Sequence, residues 1–215
     1  MDVIQFIHDR WSVLWYLAYQ HASVVVQSLV LATVVGVALA VLVYRSPWAS
    51  AVGNATSAVG LTIPSYALLG VLIVIVDNGV AVSVIALAFY GSLPILRNAI
   101  VGLRSVDPAL VESARGMGMS RLTTLARLEI PLAWPIIMTG VRISGQMLMG
   151  IAAIAAYVLG PGLGGYIFAG ISRTGGANAT NSIVAATVGI LILAILLDVV
   201  LNVVSHATTS RGIRV

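Results

Sequence analysis

The chain has 215 residues, of which 60% are hydrophobic and only 8% are charged, and its mean hydropathy is +1.06. This composition excludes an ordinary soluble domain and indicates an integral membrane protein. The absence of cysteine excludes disulfides, thiolate metal ligands and a thiol nucleophile. All 11 basic residues are arginines, and their positions beside apolar runs indicate membrane topology rather than a nucleic-acid partner.

The longest charge-free runs predict α-helices that cross a bilayer, because about 20 residues at 1.5 Å each span a hydrocarbon core of about 30 Å. Runs such as GILILAILL do not alternate, as the strands of a membrane barrel would. The sequence therefore predicts an all-α integral membrane protein that forms a single domain over residues 1–215. Five spans are predicted, at residues 22–44, 56–76, 80–101, 132–156 and 179–204.

Residues 1–20 precede the first predicted span and carry His8, Asp9 and Arg10 within an apolar pattern of helical spacing. This pattern predicts an amphipathic helix that lies in the membrane interface, anchored by its tryptophans and tyrosines. A sixth span is the alternative. It is disfavoured because burying Asp9 or Arg10 at the bilayer centre costs about 2.5–3.5 kcal/mol each.

A TIPS sequence (residues 62–65) places a proline inside the second predicted span. Proline removes a backbone hydrogen bond and kinks a helix. The kink is either purely structural or a break that lines a pathway, and the candidate pathway residues are Thr62, Pro64, Ser65 and Tyr66. The following Asp77-Asn78-Gly79 predicts the turn that joins the second and third spans.

A charged segment, residues 102–131, separates the third and fourth predicted spans. Asp107 as the N-cap and Pro108 at the first helical position predict a short helix. Gly116 and Gly118 predict its end, because glycine adopts the left-handed exit conformation without strain.

A second short helix is predicted after Ser120, which is a suitable N-cap, and Pro131 either closes it or begins the next span. The charged segment is thus predicted to form a helix–turn–helix element. Its capped helices, its apolar face and its small residues indicate docking onto another protein. A solvated connection between two spans is the alternative.

Residues 157–178 contain seven glycines and one proline, too many for a plain span. They predict a re-entrant or interfacial elbow on the outer side, with an ordinary extracellular loop as the alternative. In the last span, Asp198 is an intramembrane carboxylate. A structural ion pair with an arginine such as Arg142 is favoured for it over a proton relay.

The arginines also predict the orientation, since cytoplasmic loops are enriched in them. With the charged segment inside, nine arginines lie on the cytoplasmic side and two outside, so the N-terminus is predicted outside and the C-terminus inside. The inner set is Arg45, Arg97, Arg104, Arg115, Arg121, Arg127, Arg142, Arg211 and Arg214, and the outer set is Arg10 and Arg173.

The charged segment resembles the coupling motif of ABC importer permeases. That motif reads Glu-Ala-Ala, three residues, Gly, nine residues, then hydrophobic, any residue, hydrophobic, Pro. The matching residues are Glu112-Ser113-Ala114, Gly118 and Leu128-Glu129-Ile130-Pro131. Every spacing is kept, and the single departure in the triplet replaces one small residue, alanine, with another, serine.

Three further stretches resemble the betaine, carnitine and choline (osmoprotectant) branch of these permeases. They are TIPS (residues 62–65), LPILRN (residues 93–98) and GLRSVDPALVESARGMGMS (residues 102–120). Two departures fall in the elbow, where the branch often has glycine in place of Pro161 and aspartate in place of Gly165. They concern the local loop shape and, with it, the fine choice of solute.

The resemblance implies a bacterial inner-membrane permease that works in a complex. Two permease subunits, identical or different, would pair with two copies of an ATP-binding subunit, and a separate extracellular binding protein would deliver the solute. The resemblance assigns ATPase coupling to Glu112, Ser113, Ala114, Arg115, Gly116, Gly118 and Pro131. The partner would use ATP and magnesium, whereas this chain is expected to bind no cofactor or metal and to have no catalytic residue.

The chain itself cannot form an ATP-binding P-loop, because it contains no lysine. The sequence therefore predicts a non-enzymatic subunit that moves glycine betaine, carnitine, choline or a similar solute. One alternative is a permease for another small solute, such as an amino acid or a sulfonate. Others are a stand-alone secondary transporter, which would need inverted repeats and more intramembrane charges, and a scaffold without transport.

Overall fold

The computed structural model describes residues 2–209, which contain helices and no strand, so the predicted all-α architecture is confirmed. The helices are α1 Val3–Asp9, α2 Trp11–Val43, α3 Pro47–Gly60, α4 Ser65–Val76, α5 Gly79–Arg104, α6 Pro108–Gly116, α7 Arg121–Thr124, α8 Ile130–Ala155, α9 Gly164–Ser172 and α10 Ala179–Thr208. Within the described residues, four helical stretches are long and apolar enough to cross a membrane, or five if α3 and α4 form one bent span.

Helices α2, α5 and α8 form the core of the bundle and approach one another through glycines. A Cβ atom placed on Gly91 of α5 would lie 3.0 Å from both Ala32 of α2 and Leu148 of α8. On α8, a Cβ atom at Gly140 would lie 2.8 Å from the Cβ atom of Asn98 and 3.1 Å from the carbonyl oxygen of Pro94. The backbones are therefore too close for side chains at these positions.

The second predicted span, residues 56–76, is not one straight helix. The chain leaves α3 after Gly60 and enters α4 at Ser65, and the two helices meet at 91°. Pro64 has an extended backbone (φ −63°, ψ 124°) and lies at the start of α4. Tyr90 of α5 donates its hydroxyl to the Ile63 carbonyl at 2.6 Å, which satisfies a backbone group exposed by the break.

The N-terminal helix has a different boundary from the one predicted over residues 1–20. The chain breaks at Arg10, between α1 and α2, and then continues as one helix from Trp11 to Val43. At this break the Arg10 guanidinium lies 4.6 Å from the ring centroid of Phe6, which is fully buried. An interfacial position for residues 1–20 remains a prediction.

The elbow, residues 157–178, contains the nine-residue helix α9 and packs closely on the bundle. A Cβ atom at Gly164 would meet the Ala153 carbonyl oxygen, and one at Gly170 would lie 2.5 Å from Ile183 of α10. Gly162 adopts a φ of +114° directly over His21, a buried residue whose Nε2 lies 3.2 Å from the Met149 carbonyl oxygen. The glycines thus allow a compact turn rather than a loose one.

Contacts at the two ends of the bundle show which segments of the chain lie side by side at each end. A Cβ atom at Gly79 would meet the Leu159 carbonyl oxygen, so the start of α5 lies beside the elbow. Trp134 of α8 donates Nε1–H to the Thr208 hydroxyl at 2.7 Å, so the end of α10 lies beside the charged segment. The inner set of arginines also includes Arg211 and Arg214, which lie outside the described residues.

We predict that Gly140→Ala lowers the thermal stability of the purified protein, because the methyl group would be forced against the backbone of α5. Overpacking of this kind costs about 1–3 kcal/mol. Gly70→Ala is the matched control: it makes the same change within a helix, but nothing lies within 4 Å of the added atom. Melting in detergent, followed by tryptophan fluorescence, measures both. Equal melting temperatures for the two variants would contradict the prediction.

Candidate functional site

The first helix of the charged segment is capped at both ends, as predicted. The Asp107 side chain accepts a hydrogen bond from the Ala109 amide at 2.8 Å. At the other end, the Met119 amide donates to the Ala114 carbonyl and the Gly118 amide donates to the Arg115 carbonyl. This pair of bonds is the Schellman arrangement, which places a left-handed residue just after the helix.

Gly118 is that left-handed residue, with a φ of +85°. Gly116 was predicted to share this role but is the last residue of α6 and remains helical. A Cβ atom at either glycine would meet nothing within 4 Å, so packing within the chain does not explain why they are glycines. At Gly118 the backbone conformation alone is sufficient reason.

The remaining motif residues of α6 lie on an open surface. Glu112, Ser113 and Arg115 are exposed, and Ala114 is buried at 3% exposure. Large apolar side chains accompany them in the same segment, because Met117 is 78% exposed and Leu122 is 77% exposed. Exposed apolar side chains among charged residues are typical of a protein-binding surface.

The second predicted helix is not a separate element. Ser120 caps α7 by accepting from the Thr123 amide at 3.2 Å, and the chain then stays helical from Arg121 to Val158, over 38 residues. Residues Leu125–Glu129 form a π-helical turn, in which the Ile130 amide donates to the Leu125 carbonyl. The wider turn lies immediately before Pro131, whose ring would otherwise clash with the carbonyl one turn back. Pro131 therefore does not close the second helix but is the second residue of α8, which agrees with the prediction that it begins the next span.

A buried polar cluster joins this helix to the end of α2. Glu129 is only 4% exposed, and its Oε2 accepts a hydrogen bond from the Tyr44 hydroxyl at 2.6 Å. The Arg45 Nη2 donates to Oε1 of the same carboxylate at 3.1 Å, and the Arg45 Nε donates to the Tyr44 hydroxyl at 2.6 Å. Each carboxylate oxygen thus has a donor, as a buried charge requires.

The sequence gives a reason to notice Glu129, but it does not show that Glu129 pairs with Arg45. Glu129 lies between Leu128 and Ile130, where an exposed charge would not be expected. Arg45, at the end of α2, is explained equally well as an arginine that marks the cytoplasmic side of the membrane as by a role in an ion pair. Nothing in a single sequence pairs two residues that are 84 positions apart.

The candidate pathway residues Thr62, Pro64, Ser65 and Tyr66 lie at the break between α3 and α4, away from the charged segment. Tyr90, which holds this break, precedes the end of α5 at Arg104 by 14 residues, about 21 Å along a helix. The Tyr66 ring lies against Tyr157 of the elbow, with a centroid distance of 5.2 Å. The structure thus joins the TIPS break to the elbow rather than to the coupling motif.

Among the described residues, 2–209, no three histidine, aspartate or glutamate side chains are grouped so that they could hold a metal ion. Arginine–carboxylate ion pairs among residues 2–209 form two clusters, around Glu129 and around Asp198. In the second, Arg142 Nη2 donates to both carboxylate oxygens of Asp198 at 3.0 Å. The predicted ion pair between Arg142 and Asp198 is confirmed.

Residues 32–210 match the family model described as "Binding-protein-dependent transport system inner membrane component". The choline transport system permease protein OpuBB of Bacillus subtilis is 35% identical to this chain, and the match covers 99% of this chain and 96% of that protein. The osmoprotectant import permease protein OsmW of Salmonella typhimurium is 36% identical, with all of both chains covered.

A solved structure shows the same fold. The MetNI methionine ABC transporter, in an inward-facing conformation, contains a chain that superposes with a TM-score of 0.76. The match covers 93% of this chain and 99% of that chain, at 22% sequence identity. At this identity the likeness concerns the fold alone.

We predict that Glu129→Ala destabilises the protein more than Glu112→Ala, which removes an exposed carboxylate from the same segment. Loss of Glu129 leaves the buried Tyr44 hydroxyl without its acceptor, whereas Arg45 is 41% exposed and keeps its hydrogen bond to Tyr44. Leaving buried groups unsatisfied costs about 1–3 kcal/mol. Thermal melting of both purified variants provides the measurement, and a Glu112→Ala effect as large as that of Glu129→Ala would refute the cluster's role.

Proposed function

Because this chain belongs to the family of binding-protein-dependent transport system inner membrane components, we propose that it is the transmembrane subunit of an ATP-driven importer for quaternary ammonium solutes. The observation that carries this proposal is the charged segment, which presents exposed apolar and motif residues and continues without a break into α8. A partner that pushed on this segment would therefore move a core helix directly.

The partners follow from this arrangement and from the family. A separate ATP-binding subunit, present in two copies, docks on the charged segment of each permease and uses ATP and magnesium. Two permease subunits form the membrane unit, and a separate extracellular binding protein delivers the solute. Closure of the ATPases switches the permeases between two states, and such coupling requires a partner that binds the two states with different affinity.

The orientation follows from the docking surface. The ATPases are cytoplasmic, so the charged segment lies inside and the elbow lies outside, which agrees with the distribution of the arginines other than Arg142, which lies midway along α8. The N-terminus is then outside and the C-terminus inside, in the inner membrane of a bacterium. Residues 1–20 lie at the outer interface.

The solute class rests on the relatives, whose names specify choline and osmoprotectants. One feature of the chain supports it: the aromatic rings of Tyr66, Tyr157 and Phe168 lie in series beside the TIPS break, with centroid distances of 5.2 and 4.9 Å. Aromatic faces attract quaternary ammonium groups. Thr62, Pro64, Ser65 and Tyr66 accordingly line part of the path of the solute.

We expect Leu122→Arg to abolish copurification of the ATPase subunit. A buried arginine without a partner in the docking interface would oppose binding. Trp48→Arg is the matched control, since Trp48 is an equally exposed apolar residue at the same end of the bundle but outside the charged segment. The tagged chain is purified from its native membranes, the copurifying ATPase is identified by mass spectrometry, and ATP hydrolysis is measured.

Retention of the ATPase by Leu122→Arg would place the docking surface elsewhere. If wild type copurified with no ATPase while the purified chain alone moved solute in liposomes, the importer proposal would be wrong. A stand-alone secondary transporter would then be the correct reading.

The solute class has its own test. In proteoliposomes containing the complete complex and its binding protein, unlabelled glycine betaine, carnitine and choline are expected to compete with the uptake of radiolabelled choline. Methionine and taurine, added at equal concentration, serve as amino-acid and sulfonate controls. Competition by either control, or ATP-driven uptake of either in place of choline, would reassign the solute.

A further inference from the structure

An ion pair lies deep within two apolar helices and is only partly covered by the rest of the chain. The side chains of Arg142 and Asp198 are 38% and 31% exposed. Arg142 is the thirteenth of the 26 residues of α8. Asp198 lies ten residues before the end of α10 at Thr208, about 15 Å along the helix.

Hydrocarbon is a poor environment for such a pair. Arginine or aspartate at the centre of a membrane helix costs about 2.5–3.5 kcal/mol, and such residues almost always face the bundle interior or a water-filled cavity. The interior of this bundle covers only part of the cluster. The exposed part therefore faces either water or a second subunit.

The same face of α8 continues in both directions from the ion pair. Thr139, Gln146 and Gly150 are exposed on it, at the spacing of three to four residues that marks one side of a helix. Gln146 donates its amide to Asp198 at 3.0 Å, and a Cβ atom at Gly150 would meet nothing within 4 Å. The exposed Ile143 is the apolar member of this face.

An open cavity of about 270 Å³ lies beside this face, between α8 and α10. Its lining residues are Gln146, Leu191, Ala194, Ile195, Asp198 and Val199. Of the ion-pair cluster, Gln146 and Asp198 border this open space, and the other lining residues are aliphatic residues of α10.

We propose that the polar stripe of α8, defined as Thr139, Arg142, Gln146 and Gly150, lines the aqueous path of the solute, with Asp198 beside it. The inference rests on the proposed importer function and extends the path from the TIPS break to a second helix. Because Arg142 and Asp198 neutralise each other, the stripe offers hydrogen bonds without net charge. A path must bind weakly enough to release the solute, and an unpaired carboxylate would hold a quaternary ammonium group too tightly.

The natural absence of cysteine makes this inference directly testable, because each introduced thiol is the only one in the chain. Gln146→Cys and Gly150→Cys place thiols on the polar stripe. Val200→Cys is the control, since Val200 is 56% exposed and lies two residues beyond Asp198, about 200° around α10. The complete complex, in membranes, is treated with a membrane-impermeant trimethylammonium methanethiosulfonate, with and without glycine betaine.

We expect both stripe cysteines to react at least about tenfold faster than the Val200 control, because each unit by which apolar surroundings raise a thiol pKa removes about tenfold of the reactive thiolate. Glycine betaine should slow the labelling of the stripe and leave the control unchanged. Rates equal to that of Val200→Cys would overturn the inference. So would a disulfide between two permease chains at Gln146→Cys that resists the reagent, because the stripe would then be a dry subunit contact.

Uptake by the wild-type complex distinguishes a failure of the solute-path inference from a failure of the proposed importer function. If wild type imports glycine betaine with ATP but the stripe cysteines stay unlabelled, the inference fails and the proposed function stands. If wild type shows no ATP-driven import of any of the tested solutes, the proposed function fails first. In that case, labelling that glycine betaine does not slow would also overturn the assignment of a solute path.

Discussion

Continuity of the helical backbone from Arg121 to Val158 is the constraint on which the arrangement depends. A helix transmits force along its axis because every turn is tied to the next by backbone hydrogen bonds. Pro131 threatens that continuity, since it lacks an amide hydrogen and its ring crowds the previous turn. The π-helical turn at Leu125–Glu129 absorbs this conflict by changing the bonding pattern locally, without ending the helix. The part of the charged segment that begins at Arg121, including the exposed Leu122, is consequently one continuous helix with α8, and the turn at Gly118 joins α6 to it.

Two kinds of contact carry displacement of this helix to the rest of the bundle. Near the charged segment, the Glu129 carboxylate holds Tyr44 and Arg45 at the end of α2. Within the bundle, Gly91 and Gly140 let the core helices pack in close contact, so that a displacement of α8 would press on its neighbours. Shape changes are then expected at the less constrained elements, the break between α3 and α4 and the elbow.

Much of the fold followed from local patterns, because a cap, a turn or a charge-free run acts through neighbours in sequence. Asp107, Ser120 and the Asp77-Asn78-Gly79 turn have the roles that these rules predict. The proline of the TIPS sequence also kinks the chain as predicted, but the size of the bend, 91°, does not follow from the proline alone. Tyr90 of another helix donates a hydrogen bond to the Ile63 carbonyl at this bend, and no local rule supplies that partner.

The residues of the candidate site were likewise predictable where local sequence determines their role, and not where a distant part of the chain determines it. The coupling motif was recognisable because its residues are close in sequence and its Gly118 has a backbone reason to be glycine. The Arg142–Asp198 pair was predicted because intramembrane charges require partners. Glu129 and the polar stripe were missed, because their meaning depends on which face of a helix the rest of the chain covers.

The unequal burial of the helices has a consequence for biosynthesis. Among the four long helical stretches, α10 is the most apolar, yet only 11% of its most apolar 18 residues are buried, whereas α5 is less apolar and 67% of its corresponding residues are buried. A ribosome delivers α5 first, with Pro94 and Asn98 still lacking the neighbours that later enclose them. Helix α10 can partition into lipid unaided, but α5 must remain near the insertion machinery until α8 emerges. The core of α2, α5 and α8 is therefore completed only when α8, in the third of the four long helical stretches, has emerged.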